Sequence, residues 1–207
     1  MNAAEISATP TTLTSTLKEW AVVVRALREG RQILLLRKGG IREEGGEFEV
    51  QARNVLLFPT YLHMEEQRNA LQPCYESWLH EESRRRPTGD FERIHAWAHI
   101  TEIHVVTQFD GLFRLASQHI FSDTFLRYRV ENEPTKPLYA LFLRVYALER
   151  PAEIPLEPDY YGCKSWITLN EPVSLAGSRP ALSDHTYEER VRVIRRILTE
   201  PKPASER

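Results

Sequence analysis

Leu138-Tyr139-Ala140-Leu141-Phe142-Leu143-Arg144-Val145-Tyr146-Ala147-Leu148 is the stretch on which the fold turns, apolar or aromatic at every position but Arg144. A short run that is apolar on both of its alternating faces predicts a strand covered on both sides, at the centre of a sheet. Pro134 and Pro137 end the segment before it, and Pro151, Pro155 and Pro158 enforce an extended connection after it. The other elements have to be arranged around this strand.

Upstream, Asp123 to Val130 reads as a helix, and Asp110-Gly111 opens another helical segment through Leu112, Phe113, Leu115 and Ile120. Phe91 to Thr107 is strand-like, strongest at Ile103, Val105 and Val106. Pro73 suits the first turn of a helix that carries Tyr75, Trp78 and Leu79 inward and ends in Arg84-Arg85-Arg86, cations at the end the dipole favours. Asn54 to Phe58 is a strand stopped by Pro59, after which Thr60 caps a helix beginning near Leu62 with Glu65 and Glu66 early in it. Glu19 to Leu27 and Gln32 to Arg37 read as two strands turning at Glu29-Gly30-Arg31, and Lys38 to Gly46 as a glycine-rich loop or flap. Downstream, Ile167 to Leu169 is a short strand. Ser183 or Asp184 then caps a helix to about Leu198 with Tyr187, Val191, Ile194 and Leu198 on one stripe.

The expected fold is α+β: a mixed or mostly antiparallel sheet with an N-terminal hairpin, flanking helices and a C-terminal amphipathic helix. Residues 16–200 are expected to form one domain, divisible into two lobes near 88–92, between disordered tails at 1–15 and 201–207.

The 207 residues are 42% hydrophobic and 27% charged, the balance of a chain that folds. A formal net charge of −2 excludes a global attraction to nucleic acid or an anionic membrane, so such a contact needs a local patch. Cys74 and Cys163 make neither a disulfide framework nor a zinc site and fit a reducing compartment. Residues 1–15 do not read as a secretory signal, and no apolar run approaches the ~18 residues a membrane span needs. A cytoplasmic protein without membrane contact is expected, and neither a cofactor nor a metal is indicated.

Four local patterns carry candidate chemistry. Arg37-Lys38-Gly39-Gly40 joins two cations to a glycine pair whose amides could approach phosphate or carboxylate, without the spacing of a P-loop. His63 follows a strand end with Glu66 three residues on, a candidate general base. Gly162-Cys163-Lys164-Ser165-Trp166 sets a thiol, an ammonium and a hydroxyl on one turn; Lys164 could lower the Cys163 pKa, and His63 or His119 would have to approach as base. Arg127 and Arg129 follow Phe121 and Phe125, an arginine-aromatic pattern of the kind that stacks on and pairs with nucleic acid. Each also has a plain structural reading, as loop, structural hydrogen bond, buried turn or core packing. Arg190, Arg192, Arg195 and Arg196, interleaved with glutamates, read as a solvated salt-bridged face. His95 and His99 lie four apart without the glutamate or third ligand of a zinc helix. The carboxylate helix of a Nudix hydrolase and the Glu-x-Lys of a restriction-type nuclease are both missing.

Leu17-Lys18-Glu19-Trp20, Leu35 to Ile41, Leu57-Phe58-Pro59-Thr60 with His63, Leu143-Arg144-Val145-Tyr146 and Gly162 to Trp166 together resemble the domain-of-unknown-function family 1802, over about residues 17 to 170. The resemblance implies a bacterial protein with some relatives linked to restriction-endonuclease domains. It carries no activity and no catalytic residue to transfer. The leading expectation is an accessory nucleic-acid-associated module, its partner nucleic acid or a restriction-system protein, with Arg37, Lys38 and an arginine-rich surface against phosphates. The alternatives are a hydrolase or transferase acting on a small anionic substrate, with His63 as base and Lys38 or Lys164 holding the anion, and a partner-binding scaffold.

Overall fold

β1 (Thr12–Trp20) runs without a loop into α1 (Ala21–Arg28), where the sequence had predicted the first strand of a hairpin. The computed structural model of the protein describes residues 10–38, 51–61, 63–107, 109–132, 134–162 and 164–200. Gly39, Gly40, Cys163, residues 1–9 and the 201–207 tail lie outside the described residues. Beyond α1 come β2 (Leu34–Lys38), β3 (Asn54–Thr60), α2 (Met64–Ala70), α3 (Glu76–Arg85), β4 (Phe91–Val105), α4 (Phe109–Arg114), α5 (Asp123–Glu131), β5 (Leu138–Pro155), β6 (Trp166–Ser174), β7 (Arg179–Pro180) and α6 (Asp184–Thr199).

The N-terminal hairpin is therefore a strand, a helix and a strand. Val22, Val23 and Val24 have strand propensity, but α1 is buried at Ala21, Val22, Val23, Val24, Ala26 and Leu27. A helix covered on most of its surface loses the polar face that would separate its sequence from that of a buried strand, and tertiary burial overrides the β preference. The turn at Glu29-Gly30-Arg31 is the end of that helix. Gly30 has φ 65, its N–H donates to Leu27 O at 3.1 Å, and Arg31 N–H donates to Ala26 O at 2.8 Å, the paired bonds of a Schellman motif that satisfy otherwise orphaned carbonyls. Thr12 to Ser15, expected in the tail, belong to β1.

The seven strands form one mixed sheet of order β2-β5-β4-β3-β1-β6, with β7 paired to β5. β1 and β3 are parallel and every other pair is antiparallel. β5 is an interior strand, flanked by β2 and β4, one place in from the β2 edge rather than at the centre expected of it. It also extends past the expected Leu148 to Pro155, still paired to β4. Where the ladder breaks between Ile94 and Ala96, the β5 partner moves from Ala152 to Ala147. Pro151, which has no N–H to donate, falls in the resulting bulge.

Alternate residues along the strands face two cores. Val55 and Leu57 join a large cluster with α1, α4 and α6, while Leu56 and Phe58 join a smaller one with Ile94, Trp97, Tyr160 and Ile167 on the opposite face. The sheet is strongly curled. Arg37 on β2 donates to Lys18 O on β1 at 2.7 Å, although β5, β4 and β3 separate those strands in the sheet order. α6 closes the larger core with Tyr187, Val191, Ile194 and Leu198, all buried, and Ser183 caps it by accepting from Thr186 N–H at 3.1 Å.

Candidate functional site

The curl brings the C-terminal ends of β1, β2 and β3 to one cleft of about 240 Å³, whose other wall is α5 and the loop before β6. Arg37 reaches it from β2, Thr60 from β3, Arg129 from α5, and Lys164 and Ser165 from the loop. Lys18 braces the loop: its Nζ donates to Tyr160 O at 2.7 Å and Gly162 O at 3.0 Å, and its N–H donates to Ser165 O at 2.9 Å. Aromatic rings line the rest. Trp20 lies 5.7 Å from Phe125 and Phe121 stacks on Phe125 at 5.0 Å.

Charge in the cleft is unbalanced. Lys18, Arg37, Arg129 and Lys164 line it, and among its described lining residues Glu19 is the one carboxylate. Glu19 is committed to Arg37 at 2.9 Å and accepts from Trp20 N–H at 2.8 Å. Arg129 lies over the Phe125 ring at 5.0 Å with no ion pair or hydrogen bond among the described residues. Burial, and then the neighbouring Arg37 charge, lower its pKa, yet a guanidinium stays protonated in a protein. The buried Nε atoms of both Arg37 and Arg129 have no hydrogen-bond partner among the described residues.

His63, at the cleft rim, precedes α2 in a left-handed conformation, φ 60 and ψ 47, and is the one described non-glycine residue with positive φ. Strain of that kind collects at functional positions. Its Nδ1 lies 3.4 Å from Glu66 Oε1 on the exposed side of α2. Thr60, expected to cap that helix, instead donates to Glu19 O at 3.2 Å, and the helix starts later, at Met64.

The family model described as Domain of unknown function (DUF1802) matches residues 16–193. The chain belongs to the DUF1802 family. Every segment lining the cleft lies within the matched residues. Among solved structures, the chain is similar to the ASCH protein of Zymomonas mobilis, at 14% identity over 76% of this chain and 87% of that one, with a TM-score of 0.42. A serine-to-alanine mutant of the same Zymomonas mobilis protein aligns at 14% identity over 79% of this chain and 92% of that one, with a TM-score of 0.44. No curated protein matches the chain. No helix among the described residues is long and apolar enough to cross a membrane.

In this DUF1802 chain the cleft unites Arg37, His63, Arg129, Lys164 and Ser165, candidates drawn from four separate stretches of sequence. Other candidates stand elsewhere. Lys38 donates to Val130 O at 3.3 Å and to Asn132 O, tying down the end of α5. Arg127, two residues from Arg129 and so on another side of the helix, lies over Phe113 at 4.7 Å. His119 is buried and structural: its Nδ1 accepts from Phe121 N–H at 3.2 Å, and burial lowers its pKa. Arg190 and Arg195 are held by Gly30 O and Glu102. His99 bonds Asn54 at 2.8 Å, and no three His, Cys, Asp or Glu among the described residues gather as metal ligands.

Sequence reasoning missed Glu19, Trp20 and Thr60 as cleft residues. Reading Glu19 to Leu27 as a continuous strand hid the end of β1, where Glu19 and Trp20 could have been sought, and assigning Thr60 to a helix cap hid its place at the end of β3.

Proposed function

We propose that this chain is a cytoplasmic nucleic-acid-binding module whose cleft holds one segment of a single strand. A phosphate would sit against Arg37, Arg129 and Lys164, and a base against Trp20 and Phe125. The observation that carries the reading is Arg129, a permanently charged group with no ion pair or hydrogen bond among the described residues, set on an aromatic ring beside a second arginine, with the one nearby carboxylate, Glu19, already committed to Arg37. An oxyanion would relieve the Arg129–Arg37 repulsion, and a stacked base would use the aromatic wall in a sequence-tolerant way. The exposed free thiol of Cys74 fits a reducing compartment. A restriction-system protein as a further partner rests on the family resemblance alone.

One observation favours the second reading, a hydrolase or transferase acting on a small anionic substrate: His63, Lys164 and Ser165 share the cleft. Among the described residues no hydrogen bond joins His63 to Ser165, and that contact is the one a nucleophile and its base require. Binding is therefore preferred.

The test is an anisotropy titration of labelled single-stranded RNA and DNA at several salt concentrations, with nucleoside monophosphate as competitor. Log-linear weakening with salt, lost in Arg129→Gln, is the expected result. Failure of both strands to bind at low salt, with saturable monophosphate binding in their place, would overturn the reading in favour of the small substrate.

A further inference from the structure

α1 ends on Arg28, and α3 ends on Arg84 and Arg85 with Arg86 following. Cations at helix C-termini satisfy local electrostatics. The fold does something additional with them: it aims both helix ends at the start of β4, where Arg93 joins, and the five arginines wall a groove of about 700 Å³. Glu82 is the carboxylate among the described lining residues, and it is already engaged by Arg85 at 3.0 Å and Arg25 at 3.5 Å. Arg93 pairs with Glu153 at 3.0 Å, and Arg28 lies 3.8 Å from Glu29. Arg84 and Arg86 are exposed and make no ion pair among the described residues. Arg86 lies over the Tyr61 ring at 5.6 Å and Arg93 over Phe91 at 5.1 Å, so guanidinium planes and aromatic faces alternate along the groove. Half-buried His95 lines it too. Burial first, and then the charges of Arg28, Arg93 and Arg85, push its pKa down to about 4, consistent with a positive field.

The groove and the cleft flank one segment of chain. Thr60 lines the cleft and Tyr61, the next residue, lines the groove. We propose that the groove is a second contact for the same ligand, binding the phosphodiester backbone of a nucleic-acid strand whose neighbouring segment occupies the cleft at Arg129. The proposal rests on the nucleic-acid reading of the cleft and extends it. Arginine forks suit phosphate oxygens, several can be engaged in a groove this open, and Arg84 and Arg86 have no ion pair among the described residues to give up first.

The test compares the full-length chain, the exposed double variant Arg84→Gln with Arg86→Gln, and Arg129→Gln, against a labelled oligouridylate between about 50 and 200 mM salt. The double variant is expected to keep the wild-type circular dichroism spectrum and to bind about tenfold more weakly at the lower salt. Its slope of log affinity against log salt should be shallower by about 1.4, two phosphate contacts at ~0.7 each. An unchanged slope and affinity in the double variant, with loss in Arg129→Gln, overturns the groove and leaves the cleft reading standing. Loss in the double variant with full binding by Arg129→Gln supports the groove and overturns the cleft. No binding by the wild-type chain overturns both.

Discussion

Arg129 and Arg37 differ in what they do for the fold, although both face the cleft. Arg37 is a structural pin, donating to Lys18 O and to Glu19 across the gap between β2 and β1. Truncating it would remove a cation and loosen the curl together. Among the described residues Arg129 makes no ion pair and lies on the Phe125 ring, and the nearby Glu19 charge does not outweigh its burial and the repulsion of Arg37. Arg129→Met keeps the stem packing and removes the charge. It should melt at or above the wild-type temperature by calorimetry while losing affinity for single strands, as expected of a residue kept for binding at the expense of stability. A drop of several degrees would mean that Arg129 holds the fold. The sequence could flag Arg127 and Arg129 beside phenylalanines, but not separate them. Their difference is the face of α5 they occupy: Arg129 lies one turn on from Phe125 and over its ring, whereas Arg127 turns to Phe113.

Among the elements, α6 was the most legible, because its apolar stripe has helical spacing and its cap is a serine. Ser183→Ala removes the acceptor for Thr186 N–H and should cost about 1 kcal/mol in a urea denaturation series; no change would mean that water or Thr186 itself replaces the cap. α1 was the least legible. Its apolar face is so wide that period gave no guidance, and the informative signs were Gly30 as a helix stop and the three-residue spacing of Arg25 and Arg28. Arg25 stacks on Trp78 at 4.2 Å and bonds Glu81 at 2.8 Å, which fixes α1 against α3 and so orients the arginine groove. Pro59 and Pro151 mark the limit of breaker logic: both lie inside strands, Pro151 at a bulge where no ladder donor is needed.

For the whole molecule, the histidines set a direction for pH dependence. Burial lowers the pKa of His95 to about 4 from 6.5, and lowers those of His99 and His119. The unfolded chain therefore binds these protons more readily than the folded one, and stability falls as pH drops from about 6.5 toward 4. Glu102, held low first by Arg195, adds the same sign at lower pH, whereas Glu92, raised by burial, opposes it. His95→Gln should lose less stability between pH 7 and pH 5 than the wild type, read as the shift in urea midpoint. Equal losses would remove His95 from the account.

The sequence by itself determined the α+β class, the interior strand through Leu138 to Leu148, the C-terminal helix and the family, because local periodicity, capping and a distributed set of motifs are written in consecutive residues. It also supplied five of the residues that meet in the cleft. Only the tertiary structure decided that they meet. A curled sheet carries β2 back to β1, and the two arginine-ended helices converge on β4, through long-range packing of two cores that no window of sequence contains. Side-chain direction, not the curl, took Lys38 and Arg127 elsewhere: Lys38 alternates with Arg37 along β2 and reaches the end of α5, and Arg127 faces Phe113.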